Sequence, residues 1–271
     1  MILSTADKNY MPKARTLILS CARNVPEQLF YLYLINVDEA KDNEIHSWHP
    51  NIVIEHVDWD YEPGRWRGLL CSARSIPIYK SLQDYTEDVL YLDADVIVRR
   101  SLDNLFAILC DYDLTIKYRP ELKHMGAVGT MFANTFNSGV IGIRYSDIGL
   151  EFAKRYDENL WNYIDTGGEL RLFLPQENIV NYADQEMLYI TYLEFVNKID
   201  FLPLPVGFND SKFLPQSSIW HGKGTAYNHP IFTVERKRYQ SSFHYHALSV
   251  CNFILNSTRT IKKRINYPLF P

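Results

Sequence analysis

Two aspartates close an apolar, β-prone run: Asp93 and Asp95 in Val89-Leu90-Tyr91-Leu92-Asp93-Ala94-Asp95-Val96-Ile97-Val98. Residues two apart in an extended chain project to the same face, so both carboxylates can converge on one hard divalent cation, which takes oxygen ligands. At the carboxyl end of a strand in an open α/β sheet, that cation sits where ligands bind. There it can bridge two phosphates of a nucleotide and neutralise a departing diphosphate. The spacing alone is weak, because 18 of the 271 residues are aspartate and chance then supplies about one such pair. Three occur. Asp111-Tyr112-Asp113 lies between a helical pattern and the next apolar run, which demotes it. Asp58-Trp59-Asp60 follows the apolar run 52–57 and competes with Asp93/Asp95. Solvated loop carboxylates are the plain alternative for any single pair.

The elements that must position these residues alternate. A short strand covers residues 1–4, a helical spacing 12–23, a continuous apolar strand 29–36 and another strand 51–57. A helical stretch at 69–82 is interrupted by Pro77. The strand 88–92 feeds Asp93, and 102–109 is a short helix. Alternating strands and helices predict a parallel sheet with helices on both faces. The second half is mixed: a strand at 136–143, an amphipathic helix at 147–163, a second helix at 183–195, and a strand at 199–204. No linker separates two domains.

With 46% hydrophobic residues, 19 Tyr, 14 Phe and 5 Trp, the chain can build a large core. Aromatics in such number also line sugar and nucleotide clefts, although core packing accounts for most. The net charge of −4 carries no nucleic-acid footprint. Cys21, Cys71, Cys110 and Cys251 lie far apart without a CxxC pair, which argues against a zinc site or a disulfide scaffold. Met1-Ile2-Leu3 leads directly into polar residues and no apolar run approaches a membrane span, so the expectation is a cytoplasmic protein.

Several further motifs occur in order. They are Thr5-Ala6-Asp7-Lys8-Asn9-Tyr10 after the first strand; Arg74; the Asp93 run with Ser101-Leu102-Asp103-Asn104-Leu105-Phe106; and Phe136-Asn137-Ser138-Gly139-Val140. Asp184-Gln185-Glu186-Met187-Leu188 follows, then Ile199-Asp200-Phe201-Leu202-Pro203 with His221-Gly222-Lys223-Gly224. On these residues the chain resembles, over roughly positions 3–230, the retaining glycosyltransferases of family 8, which include glycogenins and bacterial lipooligosaccharide galactosyltransferases. The order of the motifs selects Asp93/Asp95 over Asp58. The resemblance implies a GT-A type α/β fold over residues 1–240, followed by a C-terminal helix and tail over 241–271.

It also implies site roles. Thr5, Ala6, Asp7, Asn9 and Tyr10 would hold uridine, Tyr10 stacking on the base and Asp7 accepting from its N3–H; the alternative is a turn Tyr and a capping Asp. Arg74 would pair with site carboxylates, donor hydroxyls or phosphate, or be a surface charge. Asp93, Asp95 and His221 would hold Mn²⁺ or Mg²⁺, with Ala94 between the carboxylates, although a lone His is more often structural. Asn137 and Ser138 would meet the donor sugar. Gly222, Lys223 and Gly224 would turn backbone N–H groups and the ammonium toward phosphate. Asp184 and Gln185 would lie at the reacting centre, Asp184 on donor hydroxyls and Gln185 near the sugar face opposite the diphosphate. The chain departs from the family where its His-x-x-Gly-x-x-Lys motif has Tyr227 at the lysine position, and Lys223 is the expected replacement.

The implied reaction is transfer of a hexose from a UDP-sugar to a saccharide or glycolipid hydroxyl with retention of configuration. A sugar-nucleotide hydrolase and a non-catalytic sugar-nucleotide binder are the alternatives. In the tail, Lys262, Lys263 and Arg264 stand beside Ile261, Ile265, Tyr267, Leu269 and Phe270. That composition suits peripheral contact with anionic lipid; the alternative is a helix end whose cations answer the dipole.

Overall fold

Fully buried N-terminal strands whose successive residues point to opposite faces show how the sequence builds two cores on one sheet. The computed structural model describes residues 1–60, 66–122, 134–166 and 183–240. Its strands are β1 (Ile2–Asp7), β2 (Phe30–Ile35), β3 (Ile52–Val57), β4 (Val89–Leu92), β5 (Val96–Val98), β6 (Leu114–Tyr118), β7 (Phe136–Ile143), β8 (Phe201–Pro203) and β9 (Ile219–His221). Its helices are α1 (Met11–Asn24), α2 (Asp42–His46), α3 (Trp66–Ser72), α4 (Ser75–Tyr85), α5 (Asp103–Asp111), α6 (Asp147–Thr166), α7 (Ala183–Phe195) and α8 (Pro230–Gln240).

Seven strands form one sheet in the order β3-β2-β1-β4-β7-β6-β8. β1 runs parallel to β2 and β4, β2 to β3, and β6 to β8, while β7 is antiparallel to both β4 and β6. Leu3, Tyr31 and Tyr91 face a core completed by α4, α6 and α7, through Leu82, Phe152, Tyr156 and Leu188. Their neighbours Ile2, Leu32 and Leu90 face the opposite core, completed by α1 and α5 through Leu17, Ile18 and Leu105. Period-two alternation thus feeds both faces, which is why these strands read as continuous apolar runs. A second sheet is a two-stranded antiparallel ribbon of β5 and β9.

The structure corrects three expectations. The first strand extends through Asp7, so Thr5, Ala6 and Asp7 are buried strand residues rather than a loop after it. The helical stretch at 69–82, expected to be interrupted at Pro77, is instead parted at Ala73 and Arg74 into α3 and α4. Pro77 does not cause the break. It lies in the first turn of α4, where backbone N–H groups have no intrahelical acceptor, so its missing donor costs nothing there. Thirdly, α2, β9 and α8 are additional elements. The C-terminal helix and basic-aromatic tail of the sequence reading lie outside the described residues.

Candidate metal centre

Topology brings distant residues to one edge of the sheet. Asp93 follows the last residue of β4, and Asp95 precedes β5. The β5–β9 ribbon pairs Val96 with His221, which sets the imidazole beside Asp95. Because β7 is antiparallel to β4, its opening residues Asn137 and Ser138 lie at the same edge as Asp93. The Asp93 N–H donates to Gly139 O at 2.9 Å and ties the two strands there.

His221 Nε2 lies 3.3 Å from Asp95 Oδ1 and 3.6 Å from Asp93 Oδ2. One donor atom from each residue falls within 4.8 Å of the others, and among the described residues this is the cluster that could hold a metal ion. Adjacent ligands of an octahedral ion at about 2.1 Å stand about 3.0 Å apart, so small side-chain rotations close the set. Two carboxylate oxygens and one imidazole nitrogen fit Mn²⁺, and also Mg²⁺, which prefers oxygen throughout.

A hydrogen-bond chain sets the imidazole for ligation. The Gly139 N–H donates to Asn137 Oδ1 at 3.4 Å, and Asn209 Nδ2 donates to the same oxygen at 2.7 Å. Asn209 Oδ1 therefore faces His221 Nδ1 at 2.9 Å as an acceptor. The Nδ1 atom must donate, which leaves the Nε2 lone pair toward the carboxylates. Gly139 makes this approach possible: a Cβ there would lie 2.2 Å from His221 Cε1 and 3.1 Å from Asp93 Oδ2.

Arg74 occupies the α3–α4 break and reaches inward. Its Nη1 lies 3.1 Å from Asp93 Oδ1 and donates to Ser138 O at 2.7 Å, and its Nη2 lies 3.5 Å from Asp184 Oδ2. Ser138 Oγ donates to the same Asp184 oxygen at 2.7 Å. One buried guanidinium thus ties the metal-facing carboxylate to the first turn of α7, which excludes the surface-charge reading of Arg74. Burial pushes the Asp93 carboxyl above its ordinary range, against Arg74 and His221. Burial also acts on Asp95, but the hydrogen bond and charge of His221, with Lys13, outweigh it and hold this carboxyl low. The two carboxylates repel each other, a conflict that a divalent cation relieves. Gln185 is buried beside Asp184, and its Oε1 has no hydrogen-bond partner among the described residues.

Asp7 Oδ1 accepts from the backbone N–H groups of Asn9 and Tyr10, at 3.0 and 2.9 Å, and its Oδ2 accepts from Asn9 Nδ2 at 3.1 Å. The carboxylate therefore organises the turn into α1. Ala94 is buried between the two aspartates. Gly222 departs from its expected role. Its N–H donates to Asp95 O at 2.9 Å, and a Cβ would meet Phe232 Cζ at 2.6 Å, so packing and the ribbon already require a glycine here. Gly224 takes the left-handed φ of +59° that lets the chain turn. Lys223 is exposed.

The competing aspartates lie elsewhere. Asp58 and Asp60 follow the edge strand β3, separated from β4 by two strands, and line a surface hollow with Trp59 and Trp161. Asp113 is structural, accepting from Ser146 Oγ and from the Asp200 N–H. Two residues at the centre escaped the sequence reading. Asn209 stands in no apolar run, charge cluster or motif that would mark it. Lys13, which sits 3.6 Å from Asp95 Oδ2, read as one polar position of a helix.

No protein-family model and no curated protein matches the chain. Solved structures do. The galactosyltransferase LgtC, solved in complex with donor and acceptor sugar analogues, is 18% identical with a TM-score of 0.59, over 87% of this chain and 95% of LgtC. The glycosyltransferase GlyE of Streptococcus pneumoniae TIGR4 is 19% identical with a TM-score of 0.56, over 98% of this chain and 64% of GlyE, so the chain spans less than two thirds of that protein. The likeness at these identities is one of fold, and the fold is of the GT-A glycosyltransferase type.

Proposed function

We propose that this chain is a metal-dependent glycosyltransferase that moves a hexose from a UDP-sugar to a saccharide or glycolipid hydroxyl, with retention of anomeric configuration. The observation that carries the reading is the cluster of Asp93, Asp95 and His221 at the carboxyl edge of a GT-A sheet. Support also comes from LgtC, which shares the fold and was solved with donor and acceptor sugar analogues.

Asp93, Asp95 and His221 would hold Mn²⁺ or Mg²⁺, which supplies positive charge to the departing diphosphate. Asn209 keeps Nε2 of His221 free for that ion. In this reading Asp7, which organises the turn into α1, is the acceptor for a base N–H and the Tyr10 ring stacks on the base. Asp184, held by Arg74 and Ser138, accepts from donor hydroxyls, and Asn137, on β7 beside Asn209, meets the donor sugar. Gln185, in the first turn of α7, offers a buried amide oxygen without a hydrogen-bond partner among the described residues. An amide is a poor nucleophile but a good dipole for an oxocarbenium-like centre, so retention by front-face attack fits this residue better than a stable glycosyl-enzyme.

Mass spectrometry of UDP-sugar incubations, with Mn²⁺ or with chelator and with or without saccharide acceptors, tests this. Transfer that needs Mn²⁺, is lost in Asp93→Asn and Asp95→Asn and persists in Asp58→Asn is the expected result. Release of free sugar with every acceptor would make the chain a hydrolase, and binding without turnover a sugar-nucleotide binder. No binding of any UDP-sugar refutes the reading. No described helix is long and apolar enough to cross a membrane. Peripheral lipid contact through residues 241–271 remains part of the proposal; equal sedimentation with anionic vesicles after removal of residues 260–271 refutes it.

A further inference from the structure

A diphosphate keeps negative charge after a divalent ion neutralises part of it, so a donor site needs a second cation beside the metal ligands. Lys223 was the expected source, yet it is exposed, and among the described residues the ion pair to Asp95 and the ring contacts of Tyr10 and Tyr227 come from other cations. A different element delivers a cation there. Lys13, in the first turn of α1, places its Nζ 3.6 Å from Asp95 Oδ2. The same ammonium lies 4.4 Å from the Tyr10 ring centroid and 4.7 Å from that of Tyr227, both within cation–π reach. Two aromatic rings from separate elements thus hold it against the carboxylate edge.

Helix energetics do not explain this placement. A cation in a first turn opposes the positive end of the helix dipole, and no acidic residue in that turn of α1 offsets it. The side chain is 27% exposed, so it is not sealed away from solvent. Tyr227 also carries the Arg236 guanidinium at 4.4 Å. The ring therefore gathers cations beside the metal ligands.

We propose that Lys13, positioned by Tyr10 and Tyr227, is the residue that binds the diphosphate of the nucleotide substrate. This rests on the reading of the site as a metal-dependent nucleotide-sugar site. Without ligand, Lys13 balances Asp95. Once a divalent ion takes that carboxylate, the flexible lysine stem lets the ammonium turn to a phosphate oxygen without backbone movement.

Calorimetric titration of the full chain with uridine, UMP and UDP in Mn²⁺, and with Mn²⁺ alone, tests it. In Lys13→Met, UDP affinity should fall about ten-fold or more, the scale of a charge-assisted contact, while uridine affinity stays within about two-fold. Affinity for Mn²⁺ alone should hold or tighten, because a competing cation has left Asp95; a merely structural role would weaken all three. The double variant Lys13→Met/Tyr227→Lys should recover UDP affinity, since position 227 faces the same point. Lys13→Gln serves if the methionine variant does not fold. A wild-type chain that binds no UDP in Mn²⁺ refutes the nucleotide-sugar reading itself. Wild-type binding of UDP with an unchanged UDP-to-uridine ratio in Lys13→Met, or loss of UDP in Lys223→Ala instead, overturns the assignment to Lys13.

Discussion

Adding one methyl group at Gly139 should empty the metal centre without altering any ligand. In Gly139→Ala, the new Cβ would stand 2.2 Å from His221 Cε1 and 2.5 Å from its Nδ1. Carbon atoms rest about 3.5 Å apart, so the ring must retreat by more than about 1 Å. Metal–ligand distances tolerate about 0.2 Å. The retreat also pulls Nδ1 from Asn209, 2.9 Å away in the wild type. Disturbing an outer partner of a ligand typically costs about 10–100-fold in metal affinity, and displacing the ligand itself should cost at least that. Over-packing should also destabilise the fold by about 1–3 kcal/mol. Gly142→Ala provides the comparison on the same strand. Its Cβ would meet Thr115 Cγ2 at 2.6 Å and Leu109 Cδ2 at 3.0 Å, which is similar crowding with no ligand involved. Titration with Mn²⁺ and thermal unfolding of the ion-free protein separate the two effects. Both variants should lose stability, and only Gly139→Ala should lose Mn²⁺. A folded Gly139→Ala with wild-type Mn²⁺ affinity, or equal loss of Mn²⁺ in both, would refute the reasoning.

Asn209→Ala should lower Mn²⁺ affinity about 10–100-fold, because nothing then holds His221 in its ligating tautomer; unchanged affinity in a Mn²⁺ titration would remove Asn209 from the site. Asp184→Asn should cut turnover 100-fold or more, about 3 kcal/mol of transition-state stabilisation, with UDP affinity near wild type, and steady-state kinetics beside a UDP titration would reveal an ordinary capping residue as unchanged turnover. His49 is 2% exposed, accepts from the Asn51 N–H and is held by burial below its ordinary range. Its unfolded form therefore takes up a proton first. The stability it confers is complete above about pH 6.5 and is lost as pH falls toward the folded value, by up to about 1.4 kcal/mol per pH unit. Urea unfolding at pH 7.5 and 5 should show a shallower acid loss for His49→Gln than for the wild type; equal losses would exclude His49 as a source.

Local chemistry wrote much of this protein into its sequence. The apolar runs of β1, β2, β4 and β7 and the helical spacing of α1, α6 and α7 follow from backbone periodicity and burial, both of which act over a few residues. Asp93 and Asp95 were legible for the same reason, since an extended chain turns neighbours two apart to one side. Where local pattern ends, tertiary structure decided. Thr5 to Asp7 read as a loop because polar residues interrupt the apolar run, yet parallel pairing with β2 continues to Asp7 and keeps them in the strand. His221 reaches Asp95 only because β9 pairs with β5 from more than a hundred positions away, a contact that no spacing rule encodes. Gly222 looked like a phosphate-loop glycine, whereas Phe232 on α8 determines its size. Among the described residues, the ammonium beside Asp95 comes from α1 rather than from the glycine-flanked lysine, because ammonium placement depends on which rings meet in space. A sequence specifies which groups can do chemistry. Which of them share one cation is decided by strand pairing, since only the folded sheet brings such distant carboxylates, imidazole and amide within a few ångströms.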